Sequence, residues 1–179
     1  MIPYYFRAIF LEATRTPSDV HEHMVLMNSL AQECSYIVEF GVRWGTSTKA
    51  WLNSEARVLC YDIEIWPEAA ELFEKVKELG RNAELIKASS LELPPISTDL
   101  LFIDSLHNHA QLKAELALHA NGVRKYIILH DTTLFADRGE DGGPGLWPAV
   151  EEFLAANSSW RILERRTNNN GLTVLGRIA

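Results

Sequence analysis

The sequence predicts a doubly wound α/β domain of three layers, a mostly parallel sheet with helices on both faces. Three observations carry that expectation. Short, continuously apolar runs recur along the chain, segments of helical periodicity separate them, and 179 residues suit one domain. Strands buried on both faces read as unbroken apolar runs, whereas a sheet wetted on one face alternates. Alternation of such strands with helices implies parallel pairing through right-handed crossovers.

The elements follow in chain order. Residues 1–35 read as an N-terminal arm and helix, and residues 36–179 as the ligand-binding domain. Ser18 is placed to cap a helix whose apolar positions Val20, Met24, Met27 and Ala31 share one face. Residues 36–40 and 57–61 are strands. Pro67 suits a first helical turn, Ala69, Leu72, Phe73, Val76 and Leu79 form one stripe, and Gly80 suits the stop. The weaker run 83–87 fits an edge strand, and 99–103 is a buried one. Asn108 can cap a helix carrying Leu112 and Leu116, which Asn121 and Gly122 would close. Residues 126–129 are the next strand, and Leu146, Ala149, Val150, Phe153 and Leu154 form a further stripe. Residues 160–165 and 172–177 read as antiparallel strands joined by the turn at 167–171.

Composition narrows the function. Seventeen Lys and Arg against 24 Asp and Glu leave a net charge of −7, with no basic run to hold a nucleic acid. Apolar residues at 47% and charged residues at 23% exclude a disordered chain. No apolar run approaches the roughly 20 residues that span a bilayer. The first residues lack the basic segment and small-residue cleavage site of a secretory signal. Cys34 and Cys60 form neither a metal spacing nor a disulfide scaffold, so a reducing cytoplasm is expected. The expected partner is a small molecule, not a nucleic acid or a membrane.

In a doubly wound sheet, ligands bind beyond the C-terminal strand ends, where strand order reverses. The first strand runs into Glu39-Phe40-Gly41-Val42-Arg43-Trp44-Gly45-Thr46-Ser47 ahead of a helix. Gly41 permits a tight turn, and Gly45 lets backbone approach a ligand with no Cβ between them. Twenty-one positions after Gly41, the second strand delivers Asp62, a carboxylate able to accept hydrogen bonds from both ribose hydroxyls. A dinucleotide turn has the form G-x-G-x-x-G. Here Val42 and Arg43 occupy the central places, which disfavours a nicotinamide-dependent oxidoreductase. Glu39 would repel a pyrophosphate and suits a ligand with a cationic amine. Together these features point to an adenosine-containing ligand.

The segment from Glu39 to Ser47 resembles the first motif, E-x-G-x-x-x-G-x-S, of the class I S-adenosylmethionine-dependent methyltransferases, and matches it in full. The likeness extends to the small-molecule O-methyltransferase branch that holds macrocin-type sugar methyltransferases and cephalosporin-hydroxylase-like proteins. Phe102-Ile103-Asp104-Ser105-Leu106-His107, Ile128-Leu129-His130-Asp131-Thr132 and the tail from Glu151 to Leu175 carry it, over residues 36–177 in all. The resemblance implies a single Rossmann-like domain whose seven-stranded sheet has an antiparallel C-terminal strand. It also implies S-adenosyl-L-methionine as cofactor, with the turn around its methionine, Asp62 at its ribose and residues 87–90 at its adenine edge. The residues set against the cofactor are then Glu39, Gly41, Gly45, Thr46, Ser47, Asp62, Ser89 and Asp104. The chain departs from the family in having no acid near Ser89. The implied activity is methylation of a hydroxyl on a small metabolite, a sugar or natural product. The alternative is a non-catalytic nucleoside-binding or scaffold protein that retained the fold.

Asp104 with His107, and His130 with Asp131, end strands expected to be neighbours, so their side chains can converge beside the transferring methyl group. In the resembling branch, acids at these two strand ends hold a divalent cation that orients the acceptor hydroxyl. Asp104, His130 and Asp131 are accordingly the candidate metal ligands. His130 is a departure, because imidazole favours zinc, iron, nickel or copper where magnesium prefers oxygen. With no metal, His107 or His130 would be the general base, which makes Asp104, His107 and His130 the catalytic candidates. His109 and His119 are expected to be structural, and His21 and His23 to lie on a solvated helix face.

Residues 132–145 form a long glycine-rich loop directly after Asp131, of the kind that serves as a lid or acceptor loop. Its acids Asp137, Glu140 and Asp141 argue against anionic acceptors. The aromatic arm with Tyr4, Tyr5, Phe6, Ile9 and Phe10 is expected to cover the pocket or to bury itself in a homodimer.

Overall fold

In the computed structural model, which describes residues 2–178, the apolar runs pair into one sheet. Its strands are β1 (Tyr36–Phe40), β2 (Arg57–Asp62), β3 (Ala83–Lys87), β4 (Thr98–Ile103), β5 (Val123–His130), β6 (Trp160–Arg166) and β7 (Leu172–Arg177). They lie in the order β3-β2-β1-β4-β5-β7-β6. Neighbours among β1 to β5 are parallel, and β7 is inserted antiparallel between β5 and β6. The chain therefore reverses its direction of travel between β1 and β4, and a crevice opens beyond the C-terminal ends of those two strands.

The period-two alternation of a strand decides which helices each residue meets. Ile37, Val58, Cys60, Leu100 and Phe102 face the layer built by α2 (Met24–Ala31), α3 (Thr48–Leu52) and α4 (Pro67–Glu78), where Met24, Met27, Trp51 and Ala69 complete one core. Val38, Phe40, Leu101, Ile103, Ile127 and Leu129 face α5 (His109–His119) and α6 (Leu146–Ala156), meeting Leu112, Leu116, Val150 and Phe153. Each fully buried Leu, Ile or Phe contributes about 1.5–3 kcal/mol of transfer free energy, so the two clusters drive assembly of the layers. Asn108 caps α5 as the sequence predicts, its Oδ1 accepting the Gln111 N–H at 2.8 Å.

Two expectations need correction. Ser18 does not cap a helix. A 3₁₀ turn over His21–His23 precedes α2, and the Ser18 carbonyl meets the His21 ring instead. His23 is fully buried, its Nε2 bonded to the Asn168 and Asn169 carbonyls, because the β6–β7 turn folds over it. The aromatic arm forms α1 (Tyr4–Ala13). Phe6 packs with Leu52, Leu72 and Val76, and Phe10 enters the core beside α2.

Candidate active site

The turn after β1 needs both its glycines, for reasons of packing. Gly41 has φ +83°, and a Cβ there would stand 1.9 Å from the Asp104 carbonyl oxygen. Gly45 has φ +77°, and its Cβ would meet Leu72 Cδ2 of α4 at 3.0 Å. Gly41 lines the crevice; Gly45 is buried against α4 and does not approach a ligand there. The Asp62 carboxylate, at the end of β2, clamps the turn. Its Oδ2 accepts the Val42 and Arg43 N–H groups at 2.7 and 2.9 Å, and its Oδ1 accepts the Glu64 N–H at 3.0 Å.

Glu39 points the other way. It alternates with Phe40 and so falls on the α3 side of the sheet, fully buried. Its carboxylate accepts from Ser47 Oγ at 2.6 Å, Thr48 Oγ1 at 2.7 Å and Cys60 Sγ at 3.0 Å. Burial pushes its carboxyl up from the usual range, and these donors oppose that push. Glu39 and Ser47 thus anchor the start of α3 and leave no group for a ligand's amine. Thr46 faces a separate hollow with Arg43, Trp44 and Lys49.

Four of the expected residues, Gly41, Asp62, Ser89 and Asp104, line one cavity of about 700 Å³, together with His107. That size suits a drug-sized ligand. The cavity has no Cβ at its turn, a carboxylate at the β2 end, and the Asp104 cluster at the β4 end.

The cluster gathers Asp104, His107 and Asp131. His107 Nε2 lies 3.0 Å from Asp104 Oδ1 and 3.1 Å from Asp131 Oδ2. Phe135 stacks on the His107 ring at 4.8 Å, and Glu140 Oε1 sits 3.3 Å from its Nδ1. Asp131 has φ +58°, a left-handed backbone that aims its carboxylate at His107. His130 lies behind the cluster, almost fully buried. Its Nδ1 is 3.3 Å from Asp104 Oδ1, and its Nε2 is held by the Asp19 carbonyl at 3.0 Å.

Charge follows geometry. Burial alone would lower His130, but the Asp104 and Asp131 carboxylates outweigh it and raise the imidazole to about 9. His107 is also raised against burial, by its hydrogen bond to Asp104 and by the surrounding carboxylates. Asp104 is held well below the usual carboxylate range by the two rings, despite its burial. Asp131 moves up, through burial and through the charge of Asp104. The surrounding carboxylates thus favour the protonated form of both rings.

The donor set also fits a divalent cation. One atom each of Asp104, His107 and Asp131 lies within 4.8 Å of the others, and the buried Asp131 Oδ1 makes no hydrogen bond. His107, not the expected His130, completes the trio, and His130 Nδ1 stands beside it, 3.3 Å from Asp104 Oδ1 and 3.4 Å from Asp131 Oδ1. Two carboxylates and an imidazole suit manganese, iron, cobalt or zinc better than magnesium.

Behind the crevice lies a buried acid that sequence reading missed. Glu115 of α5 accepts from Ser90 Oγ at 2.5 Å, Ser105 Oγ at 2.8 Å and Gln111 Nε2 at 3.0 Å. Burial raises its carboxyl while those donors lower it. The signal was present: Leu112, Glu115, Leu116 and His119 share the buried face of α5. His119 is structural as expected, bonded to the Ser90 carbonyl. The 132–145 loop is tied to the start of α5. Glu140 N–H donates to the His107 carbonyl at 3.0 Å, His107 N–H donates to Glu140 Oε1 at 2.7 Å, and His109 N–H donates to the Pro144 carbonyl at 2.9 Å.

The family described as a methyltransferase domain matches residues 38–132, from β1 through the end of β5 to Thr132. No curated protein matches the chain. Among solved structures, the methyltransferase PaMTH1 of Podospora anserina, with S-adenosylhomocysteine bound, is 19% identical over 99% of this chain and 89% of its own, with a TM-score of 0.62. A Staphylococcus aureus protein described as a caffeoyl-CoA O-methyltransferase is 13% identical over 97% and 91%, with a TM-score of 0.69. The magnesium protoporphyrin IX methyltransferase of Synechocystis, with S-adenosylmethionine bound, is 14% identical over 89% and 82%, with a TM-score of 0.63. At these identities the likeness establishes the fold. No helix among the described residues is long and apolar enough to cross a membrane.

Proposed function

This chain belongs to the methyltransferase-domain family, and we propose that it moves a methyl group from S-adenosylmethionine to a hydroxyl on a small, non-anionic metabolite. The observation that carries the reading is the single cavity lined by Gly41, Asp62, Ser89, Asp104 and His107. Solved proteins of this fold hold S-adenosylmethionine or S-adenosylhomocysteine, and the cavity offers a ribose acceptor where such a nucleoside needs one. Asp62 keeps one lone-pair site, on Oδ1, beyond the three N–H groups it accepts.

When bound, the donor supplies an electrophilic sulfonium methyl, and a divalent cation on Asp104, His107 and Asp131 would supply Lewis acidity toward the acceptor hydroxyl. The chain's own residues do the rest. Asp62 and the Gly41 turn fix the nucleoside end. Asp104 and His107 border the cavity and set the line along which an acceptor oxygen approaches. Such positioning corresponds to effective molarities on the order of 10⁵–10⁸ M. Asp131, raised by burial, receives the hydroxyl proton at its carboxylate. His130, locked between Asp19 and Asp104, positions the latter. Phe135 and Glu140 brace His107 and keep water from that side. The acids of the 132–145 loop repel anionic acceptors.

Calorimetric titration with S-adenosylhomocysteine tests the donor site, with binding in the micromolar range expected and no heat of binding overturning it. A panel of hydroxylated acceptors, followed by mass spectrometry, tests the acceptor class; transfer confined to amines or carbon would replace the hydroxyl reading.

A further inference from the structure

The far end of the cavity is lined by Ser90, Ser105 and Gln111, with Glu115 buried behind them. Their hydrogen atoms can be counted. The Ser90 hydroxyl donates to Glu115 Oε1 at 2.5 Å. The Ser105 hydroxyl donates to the same carboxylate at 2.8 and 2.9 Å from its two oxygens. The Gln111 amide has two hydrogens. One goes to Glu115 Oε1 at 3.0 Å and the other to Ser90 Oγ at 3.2 Å. Every side-chain donor of the three wall residues is thus consumed by the network. What they retain is acceptor capacity: both lone pairs of Gln111 Oε1, and unused lone pairs on Ser105 Oγ and Ser90 Oγ.

We propose that Glu115 is a specificity-determining positioning residue, which turns the protons of Ser90, Ser105 and Gln111 away from the cavity so that these three side chains offer it acceptors only, leaving Ser89 as the wall hydroxyl outside the Glu115 network. A wall of this polarity selects a nucleobase with an exocyclic amine and rejects one with a carbonyl in its place. The inference rests on the nucleoside reading above and adds which base the site takes. Adenine presents an amine at C6; hypoxanthine presents a carbonyl oxygen there, which would meet only lone pairs on those three side chains. A buried acceptor left facing an acceptor loses its bond and its solvation together.

The test compares S-adenosylhomocysteine with S-inosylhomocysteine on the whole chain by calorimetry. The wild type should bind the adenine compound at least tenfold more tightly. Glu115→Gln places an N–H₂ where a carboxylate oxygen stood, so one serine must accept from it and direct its own proton into the cavity. The preference should then fall to threefold or less, with the inosine compound binding better than it does to wild type. A merely structural role for Glu115 would weaken both ligands equally and leave the ratio unchanged. That result overturns the inference, as does a wild type with no preference. Failure of the wild type to bind either compound overturns the nucleoside reading and this inference with it. Should E115Q not fold, Gln111→Met decides: it removes the Oε1 acceptor from the wall, and an unchanged ratio would again overturn the proposal.

Discussion

Gly41 and Asp104 meet backbone to backbone. A Cβ on Gly41 would lie 1.9 Å from the Asp104 carbonyl oxygen, and the Asp104 N–H donates to the neighbouring Phe40 carbonyl at 2.8 Å. The turn that borders the cavity and the acid that leads the polar cluster are therefore one joint at the strand-order reversal. A change on either side of the joint reaches the other.

Gly41→Ala should show this coupling. Neither partner of the clash is a flexible side chain, and φ +83° disfavours any Cβ. The loss should be about 2 kcal/mol or more, a fall in melting temperature of roughly 4–8 °C for a chain of this size. S-adenosylhomocysteine affinity should drop at least tenfold, because Asp104 must move. Scanning fluorimetry and calorimetry read the two effects, and a variant with wild-type stability would show that the joint is soft.

Asp62→Ala removes the acceptor of the Val42 and Arg43 N–H groups as well as the proposed ribose contact. Affinity for S-adenosylhomocysteine should fall at least tenfold. Asp62→Asn retains one oxygen that can keep the turn clamped, so it should be nearly as stable as wild type yet still bind weakly. Equal affinity of D62N and wild type in calorimetry would remove the carboxylate from the ribose.

Much of this architecture was legible. The doubly apolar runs 36–40, 57–61 and 99–103 announce strands covered on both faces, and Asn108 announces the start of α5. Asp62 follows from its place at the end of the second strand. What escaped depends on direction and on distant chain. Glu39 has the spacing of a ligand-facing acid, but strand parity turns it under α3. His23 is buried by a turn some 145 residues away. That His107 joins Asp104 and Asp131 depends on how the turn after β4 folds back toward the end of β5, which spacing alone does not show. Glu115 looked like an acid on an amphipathic helix, since a sequence does not show the hydroxyls of two other segments closing on it.

The Asp104, His107 and Asp131 trio predicts metal-dependent stabilisation. Manganese, cobalt or zinc at a hundredfold excess over its dissociation constant should add about 2.7 kcal/mol, visible as a melting shift that chelator reverses. Magnesium should give a smaller one. Ligation needs a neutral His107, whose protonated form the neighbouring carboxylates favour, so affinity should strengthen as pH rises. Asp131→Asn should abolish the shift while His109→Gln leaves it intact. A metal shift that survives in D131N would place the cation elsewhere.

Asp99 offers a pH test away from the site. Its burial would raise the carboxyl, but Arg124 Nε at 2.7 Å and the Ser35 and Tyr36 N–H groups bring it below the usual range. A carboxyl depressed by folding adds stability above its unfolded value, near 3.9, and loses it as pH falls through the folded value. Denaturant midpoints should therefore drop below about pH 4 in the wild type, and the drop should be shallower in Asp99→Asn. Parallel curves for the two proteins would assign the acid sensitivity to other groups.

Glu39→Gln separates an anchor from a ligand contact. In the native arrangement two hydroxyls and a thiol all donate to the carboxylate, so an amide must set an N–H against at least one donor. Leaving such a buried pair mismatched costs about 1–3 kcal/mol, and α3 should loosen at its first turn. Binding by the folded fraction should change little, because the cavity side of the β1 turn is held separately by Asp62. Hydrogen exchange should accordingly speed up at residues 47–50, while calorimetry returns a dissociation constant within threefold of wild type. If affinity instead collapsed at unchanged stability, Glu39 would have to reach the methyl donor, and the division of the turn into an anchored face and a binding face would be wrong.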